Sequence, residues 1–164
     1  MTAVVGIDPG AKGSICFLDS VTKEILFADT PQGYGDAQRI LKALMTIHLK
    51  NPIQMIGIED VHSIYGMSAK SNFSFGFNVG QVHTIAEMTD IGIDLVQPKI
   101  WQAGCGIRFK PKMKSADRKR IVADTAIRLY PSADIFGPKG GLLDGRADSL
   151  MIAHYLLIKY GNTT

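Results

Sequence analysis

An α/β fold, a mixed five-stranded sheet flanked by helices on both faces, is predicted for this chain. Three observations predict it. Short strand-like runs crowd the first thirty residues, later apolar runs alternate with helical segments, and IQMIGIED is apolar at nearly every position, the mark of a strand buried between helices. At 164 residues the chain fits one domain, residues 1–164, able to bury about two-thirds of its unfolded surface without a metal or disulfide staple.

Each element has its own warrant. AVVGID is a near-continuous apolar run, SICFLD follows the PGAKG turn, and EILFAD follows SVTK; links this short favour sequential antiparallel hairpins. DAQRILKALMTIHLK sets Ala37, Ile40, Leu41, Leu44, Met45 and Leu49 on one stripe, with Asp36 as N-cap and Asn51-Pro52 as the stop. IQMIGIED is the fourth strand. Residues 62–78, rich in Ser, Gly and aromatics, read as a loop leading into a helix from Phe75 to Met88. IDLVQP is the fifth strand, and PKIWQAGCG a short helix with a Gly-rich turn. ADRKRIVADTAIRLYP places Ile121, Val122, Thr125, Ala126 and Leu129 at helical spacing and stops at Pro131. The last helix runs from near Leu143 to Tyr160.

Composition excludes some classes. The longest apolar stretch, LMIAHYLLI, is too short to cross a bilayer, and the N-terminus lacks the features of a signal peptide, so a cytoplasmic location is expected. Cys16 and Cys105 have no partners at metal spacing and read as reduced thiols. The net charge of +3 is unevenly spread. Residues 108–120, RFKPKMKSADRKR, oppose seven basic side chains to Asp117 alone and leave the remainder net acidic. Such a segment is either a solvated loop and helix start or the footprint of a polyanion-binding surface.

The acids are the stronger signal. Asp8 and Glu59 each end an apolar strand, and Asp144 and Asp148 open an apolar helix, where their i, i+4 spacing puts them on one face. Local explanations exist for most of them: Asp8 before Pro-Gly forms turns, Asp144 can cap, and Asp148 suits the positive end of a helix dipole. Glu59 has no such local reason, since Asp60 beside it already solubilises the strand end. If the first and fourth strands are neighbours, Asp8 and Glu59 lie side by side, and clustered carboxylates require either a raised pKa or a cation. Oxygen-only ligands select Mg²⁺ or Mn²⁺.

In order along the chain, GIDPG, the IGIEDV strand, FNVGQ, VQPKIWQAGCG and the terminal DGRADSLMIAHY resemble the RuvC-type Holliday-junction resolvases of the ribonuclease-H-like superfamily. The resemblance covers nearly the whole length and includes small phage-encoded members. It implies the ribonuclease-H-like fold and a metal-dependent endonuclease that resolves four-way and other branched DNA junctions. Asp8 matches the first-strand aspartate, Glu59 the fourth-strand glutamate and Asp148 the C-terminal aspartate; Asp144 matches the remaining acid with a gap one residue wider than the family's. The resemblance further implies two Mg²⁺ ions per site, replaceable by Mn²⁺, with Asp8 bridging them and Glu59 and Asp144 or Asp148 holding one each. Lys99 falls where the family has a basic residue near the scissile phosphate, and a second falls on Arg118 or Lys119. A homodimer nicking opposed strands is also implied.

A site of this kind supplies no base specificity. Phosphate contacts by Lys99, Lys110, Lys112, Lys114, Arg118, Lys119 and Arg120 are the expected source of affinity. Tyr65 and Phe73, set among Gly and Ser, are candidates to stack on unpaired bases, worth about 1–3 kcal/mol per base. Phe75 and Phe77 fit either that role or a place in the core or a dimer interface. Three rival readings remain. A less specific ribonuclease-H-like nuclease on branched DNA or RNA–DNA hybrids shares every feature above. A non-catalytic junction binder leaves the acids unexplained. Asp8 to Gly13 also resembles the phosphate loop of the actin and sugar-kinase superfamily, but that fold needs two domains and more residues.

Overall fold

The computed structural model describes residues 3–62 and 66–161. Strands β1 (Ala3–Asp8), β2 (Ser14–Asp19), β3 (Ile25–Asp29), β4 (Ile53–Glu59) and β5 (Ile93–Val96) form one sheet in the order β3-β2-β1-β4-β5. The hairpins β1–β2 and β2–β3 are antiparallel, as their short links dictate. β4 and β5 lie parallel to β1 and to each other, because helices carry the chain back before each strand. Those helices are α1 (Asp36–Lys50) and α2 (Ala69–Glu87), followed by α3 (Pro98–Gly104), α4 (Ser115–Leu129) and α5 (Asp144–Gly161).

Strand pleating divides the core in two. Val5, Ile7, Ile15, Phe17, Ile56 and Ile58 pack with Ile40 and Leu44 of α1 and Val82 and Ile85 of α2. Val4, Cys16 and Leu18 point the other way, into a layer with Trp101 of α3, Val122 and Ala126 of α4, and most of α5. The sheet is thus covered on both faces. Within the second layer α5 is the central element: Ala147, Leu150, Met151, Ile152, Ala153 and Leu156 are fully buried, between β1, β2 and β4 on one side and α3 and α4 on the other.

This packing needs a strand without a side chain at the crossing. A Cβ on Gly6, in the middle of β1, would overlap the Ser149 carbonyl oxygen and the Ala153 amide nitrogen of α5, and one on Gly145 would overlap the Lys12 carbonyl oxygen. Backbone cannot yield there as a flexible side-chain end can. Gly6→Ala is expected to lift α5 from β1 and cost about 1–3 kcal/mol. Urea denaturation checks this: the midpoint should fall with the slope unchanged.

Three expectations need correction. α2 begins at Ala69, six residues before Phe75, because the Ser68 hydroxyl caps it by accepting the Ser71 N–H at 3.1 Å. Phe73 therefore lies on a helix and not in a loop. Asp36 is the first helical residue and not the N-cap; its carboxylate accepts the N–H groups of Gln32 and Gly33, both at 3.0 Å, and pairs with Arg39 at 2.7 Å. Leu49 is 81% exposed, since at 100° per residue it falls opposite the Ile40–Leu44–Ile47 line that faces the sheet. Both cysteines are free, Cys16 buried and Cys105 half-buried. Among the described residues, no helix is long and apolar enough to cross a membrane.

Candidate active site

Two strands end in the same pattern. Gly6-Ile7-Asp8 closes β1, Gly57-Ile58-Glu59 closes β4, and the parallel pairing sets Gly6 beside Gly57 and Ile7 beside Ile58. Pleating sends both isoleucines into the α1–α2 core and leaves Asp8 and Glu59 on the α5 side, neighbours at the carboxyl edge of the sheet. The glycines serve the same geometry. A Cβ on Gly57 would stand 2.9 Å from Leu156 Cδ1, so α5 lies close over both strand ends. This repeated Gly-Ile-acid pattern was visible in the sequence and is a sharper signal than either acid alone.

α5 brings the other two acids. Asp144 opens the helix and Asp148 follows one turn later, coupled electrostatically to Asp8, Glu59 and Asp144. Burial, reinforced by these three negative neighbours, pushes the Asp148 carboxyl well above the usual carboxylate range. Glu59 is pushed up to about 7, chiefly by burial and further by Asp8, against the lowering effect of a hydrogen bond from Trp101. Asp8 is raised by burial and by Asp144, although the Gly10 N–H donates to its Oδ1 at 3.0 Å and acts in the opposite direction. Asp8 thus shapes the PGAKG turn and also belongs to the acid group.

Lys119 answers part of this charge. Its ammonium meets Asp144 at 2.5 Å, and that bond, with smaller contributions from Asp148 and Asp8, holds its pKa above the ordinary value. Of the two basic residues at this turn of α4, Lys119 faces the acids, whereas Arg118 stands 5.5 Å over the Phe109 ring. Lys99, early in α3, lines an open pocket of about 590 Å³ together with Asp8, Glu59, His62, Phe75 and Gln97. Lys110, Lys112, Lys114 and Arg120 are exposed on the loop before α4 and on its first turns.

The aromatics separate. Phe75 is half-buried at the acid pocket, while Phe77 is 60% exposed and lines a groove with Ala37 and Leu41 of α1. Neither belongs to the core. Phe73 is 77% exposed on α2. Tyr65 lies outside the described residues. Trp101, to which the sequence reading assigned no role, is 1% exposed, and its Nε1–H donates to Glu59 Oε1 at 2.8 Å. The available signal was chemical: a buried indole N–H needs an acceptor, and this is the sole tryptophan of the chain.

The donor set is four carboxylates, the chemistry of a hard divalent cation that keeps water in its shell. As the side chains stand, no group of three or more His, Cys, Asp or Glu among the described residues is arranged to hold a metal ion. The acids are near enough for neighbouring charge to raise the pKa values of Asp8, Glu59 and Asp148 without the group closing on one point, and Lys119 engages Asp144. The chemistry of the group fits a cation, and its geometry is open.

Among solved structures, the chain is similar to RuvC of T. thermophilus in complex with a Holliday-junction substrate, at a TM-score of 0.65 and 15% identity, over 99% of this chain and 97% of that one. The chain has the RuvC fold. A second structure of Thermus thermophilus RuvC matches at a TM-score of 0.61 and 15% identity, over 95% of this chain and 93% of that one. No family model and no curated protein matches the chain. The RuvC fold is a ribonuclease-H-like α/β arrangement, and the mixed five-stranded sheet with its five helices conforms to it.

Proposed function

We propose that the chain is a structure-selective endodeoxyribonuclease that cuts four-way and other branched DNA junctions by metal-dependent phosphodiester hydrolysis. The observation that carries the reading is the meeting of Asp8, Glu59, Asp144 and Asp148 from two strand ends and one helix, with Lys119 and Lys99 beside them. Crowding four acids together is costly for folding alone, and raised carboxyl pKa values such as those of Asp8, Glu59 and Asp148 cluster where chemistry is done. The RuvC fold, found in a protein complexed with a Holliday junction, supports the substrate class.

Asp8, Glu59, Asp144 and Asp148 would hold Mg²⁺, or Mn²⁺ in its place, two ions per site. When bound, such ions activate a water and stabilise charge on the scissile phosphate. The protein residues do the rest. The acids repel a phosphodiester until their charge is offset, so the site is selective for the loaded state. Lys119 and Lys99 approach from α4 and α3 and offer positive charge to phosphate oxygens. The whole chain, residues 1–164, serves as one nuclease domain in the cytoplasm and works as a homodimer, since two-fold symmetry matches a four-way junction.

The test is a comparison of substrates in Mg²⁺: a mobile four-way junction, a fork and an RNA–DNA hybrid duplex. Paired symmetric nicks on the junction are expected. Cutting of all three at similar rates would replace the resolvase with a general ribonuclease-H-like nuclease, and cutting of none would end the nuclease reading. Lys110, Lys112 and Lys114 supply a second check. Replacing all three by Ala is expected to weaken junction binding and lower the slope of log affinity against log salt by about 2.7, as the loss of three phosphate contacts requires.

A further inference from the structure

We propose that Trp101 is a positioning residue for Glu59: its buried indole N–H fixes Oε1 and so presents the second oxygen, Oε2, to the cation that the acid group would hold. The inference rests on the nuclease reading and adds to it a residue outside the acids and lysines.

Glu59 needs such a hold. Its side chain has rotatable bonds enough to leave the pocket, and Asp8 and Asp148 both repel it. The hydrogen bond at 2.8 Å opposes that departure. Its donor is itself immobile. Trp101 is 1% exposed, and its helix α3 starts at Pro98, whose fixed φ suits a first turn, and packs so closely on α5 that a Cβ on Gly104 would stand 2.6 Å from the Tyr155 ring. An indole is also the right kind of donor. It stabilises a carboxylate through one directed bond yet brings no positive charge to compete with a cation, as Lys119 does at Asp144. Groups that orient a ligand in this way typically govern about 10–100-fold in metal affinity.

The experiment is a calorimetric titration of the metal-free chain with Mn²⁺. Trp101→Phe keeps an aromatic ring in the core and removes the donor, and its Kd for Mn²⁺ is expected to rise by about 10–100-fold. A Kd within twofold of wild type in a folded Trp101→Phe protein overturns the proposal and leaves the nuclease reading intact. Absence of Mn²⁺ binding by the wild-type chain overturns the nuclease reading and this inference with it. Should Trp101→Phe fail to fold, the wild-type chain carries its own probe, since all tryptophan emission comes from Trp101. Mg²⁺ is expected to shift that emission with the midpoint of a parallel calorimetric titration with Mg²⁺, and Glu59→Gln to abolish the shift. Emission indifferent to Mg²⁺ that calorimetry shows to be bound overturns the proposal.

Discussion

Asp8→Asn is expected to abolish strand cleavage, lowering the rate by about 10³-fold or more, while junction binding stays within a few-fold of wild type. Asn keeps the volume of Asp and an oxygen able to accept the Gly10 N–H, so the PGAKG turn should survive. The anionic charge does not. Asp8 is coupled electrostatically to Glu59, Asp144, Asp148 and Lys119, a central place in the group that it shares with Asp148. A charge central to the group is the one whose removal does most to loosen its hold on cations. Binding, by contrast, is assigned to the exposed lysines and arginines of residues 108–120, which the substitution leaves alone. Gel-shift and nicking assays on one four-way junction separate the two quantities, and undiminished nicking would remove Asp8 from the chemistry.

Asp148→Asn is expected to stabilise the metal-free protein and to inactivate it. The folded-state pKa values of Asp8, Glu59 and Asp148 are raised above their unfolded values. The stability these groups contribute is therefore fully present below about pH 4 and is lost as pH rises through the folded-state values, about 7 for Glu59. The Glu59 shift alone corresponds to about 3 kcal/mol. Removing the Asp148 charge relieves its own desolvation and the repulsion it exerts on Glu59 and Asp8. At pH 8 without divalent ions the melting temperature should rise by several degrees, since about 1 kcal/mol moves it by about 2–4 °C in a chain of this size. Mg²⁺ should raise the melting temperature of the wild type and do little for Asp148→Asn, because a ligand stabilises only the state that binds it. A variant that melts lower than wild type at pH 8 would show that Asp148 holds the fold together through contacts of its own.

Much of this architecture is legible in the residues, for reasons that differ by element. The β1–β2–β3 meander was readable because turns of a few residues leave no other pairing, and the strand ends carrying Asp8 and Glu59 were readable because acids stop apolar runs. The start of α2 was not. Residues 69–74, AKSNFS, carry Ser and Asn and lack an apolar stripe, and the helix exists there because Ser68 caps it and Val82, Ile85 and Ala86 anchor its far end. Leu49 misled through a stripe drawn too wide. At the site, sequence spacing could nominate Arg118 or Lys119 without choosing; the rotation of α4 against α5 decides which points to Asp144. The link between Trp101 and Glu59 spans 42 positions and depends on how α3 packs on α5 beside the end of β4, a tertiary fact with no local trace.

The backbone-to-backbone seat of α5 on Gly6 has a mechanical consequence. A helix wedged between a sheet and two further helices cannot swing like a jaw, so the acids it carries ride on a stiff floor. On the nuclease reading, whatever bending is needed to bring a strand into line falls to the nucleic acid. Crossovers are already hinged at their branch point and yield readily, whereas an unbroken duplex resists. Selectivity for forked polymers could then arise from the unyielding anvil beneath the scissile bond, before any base is inspected.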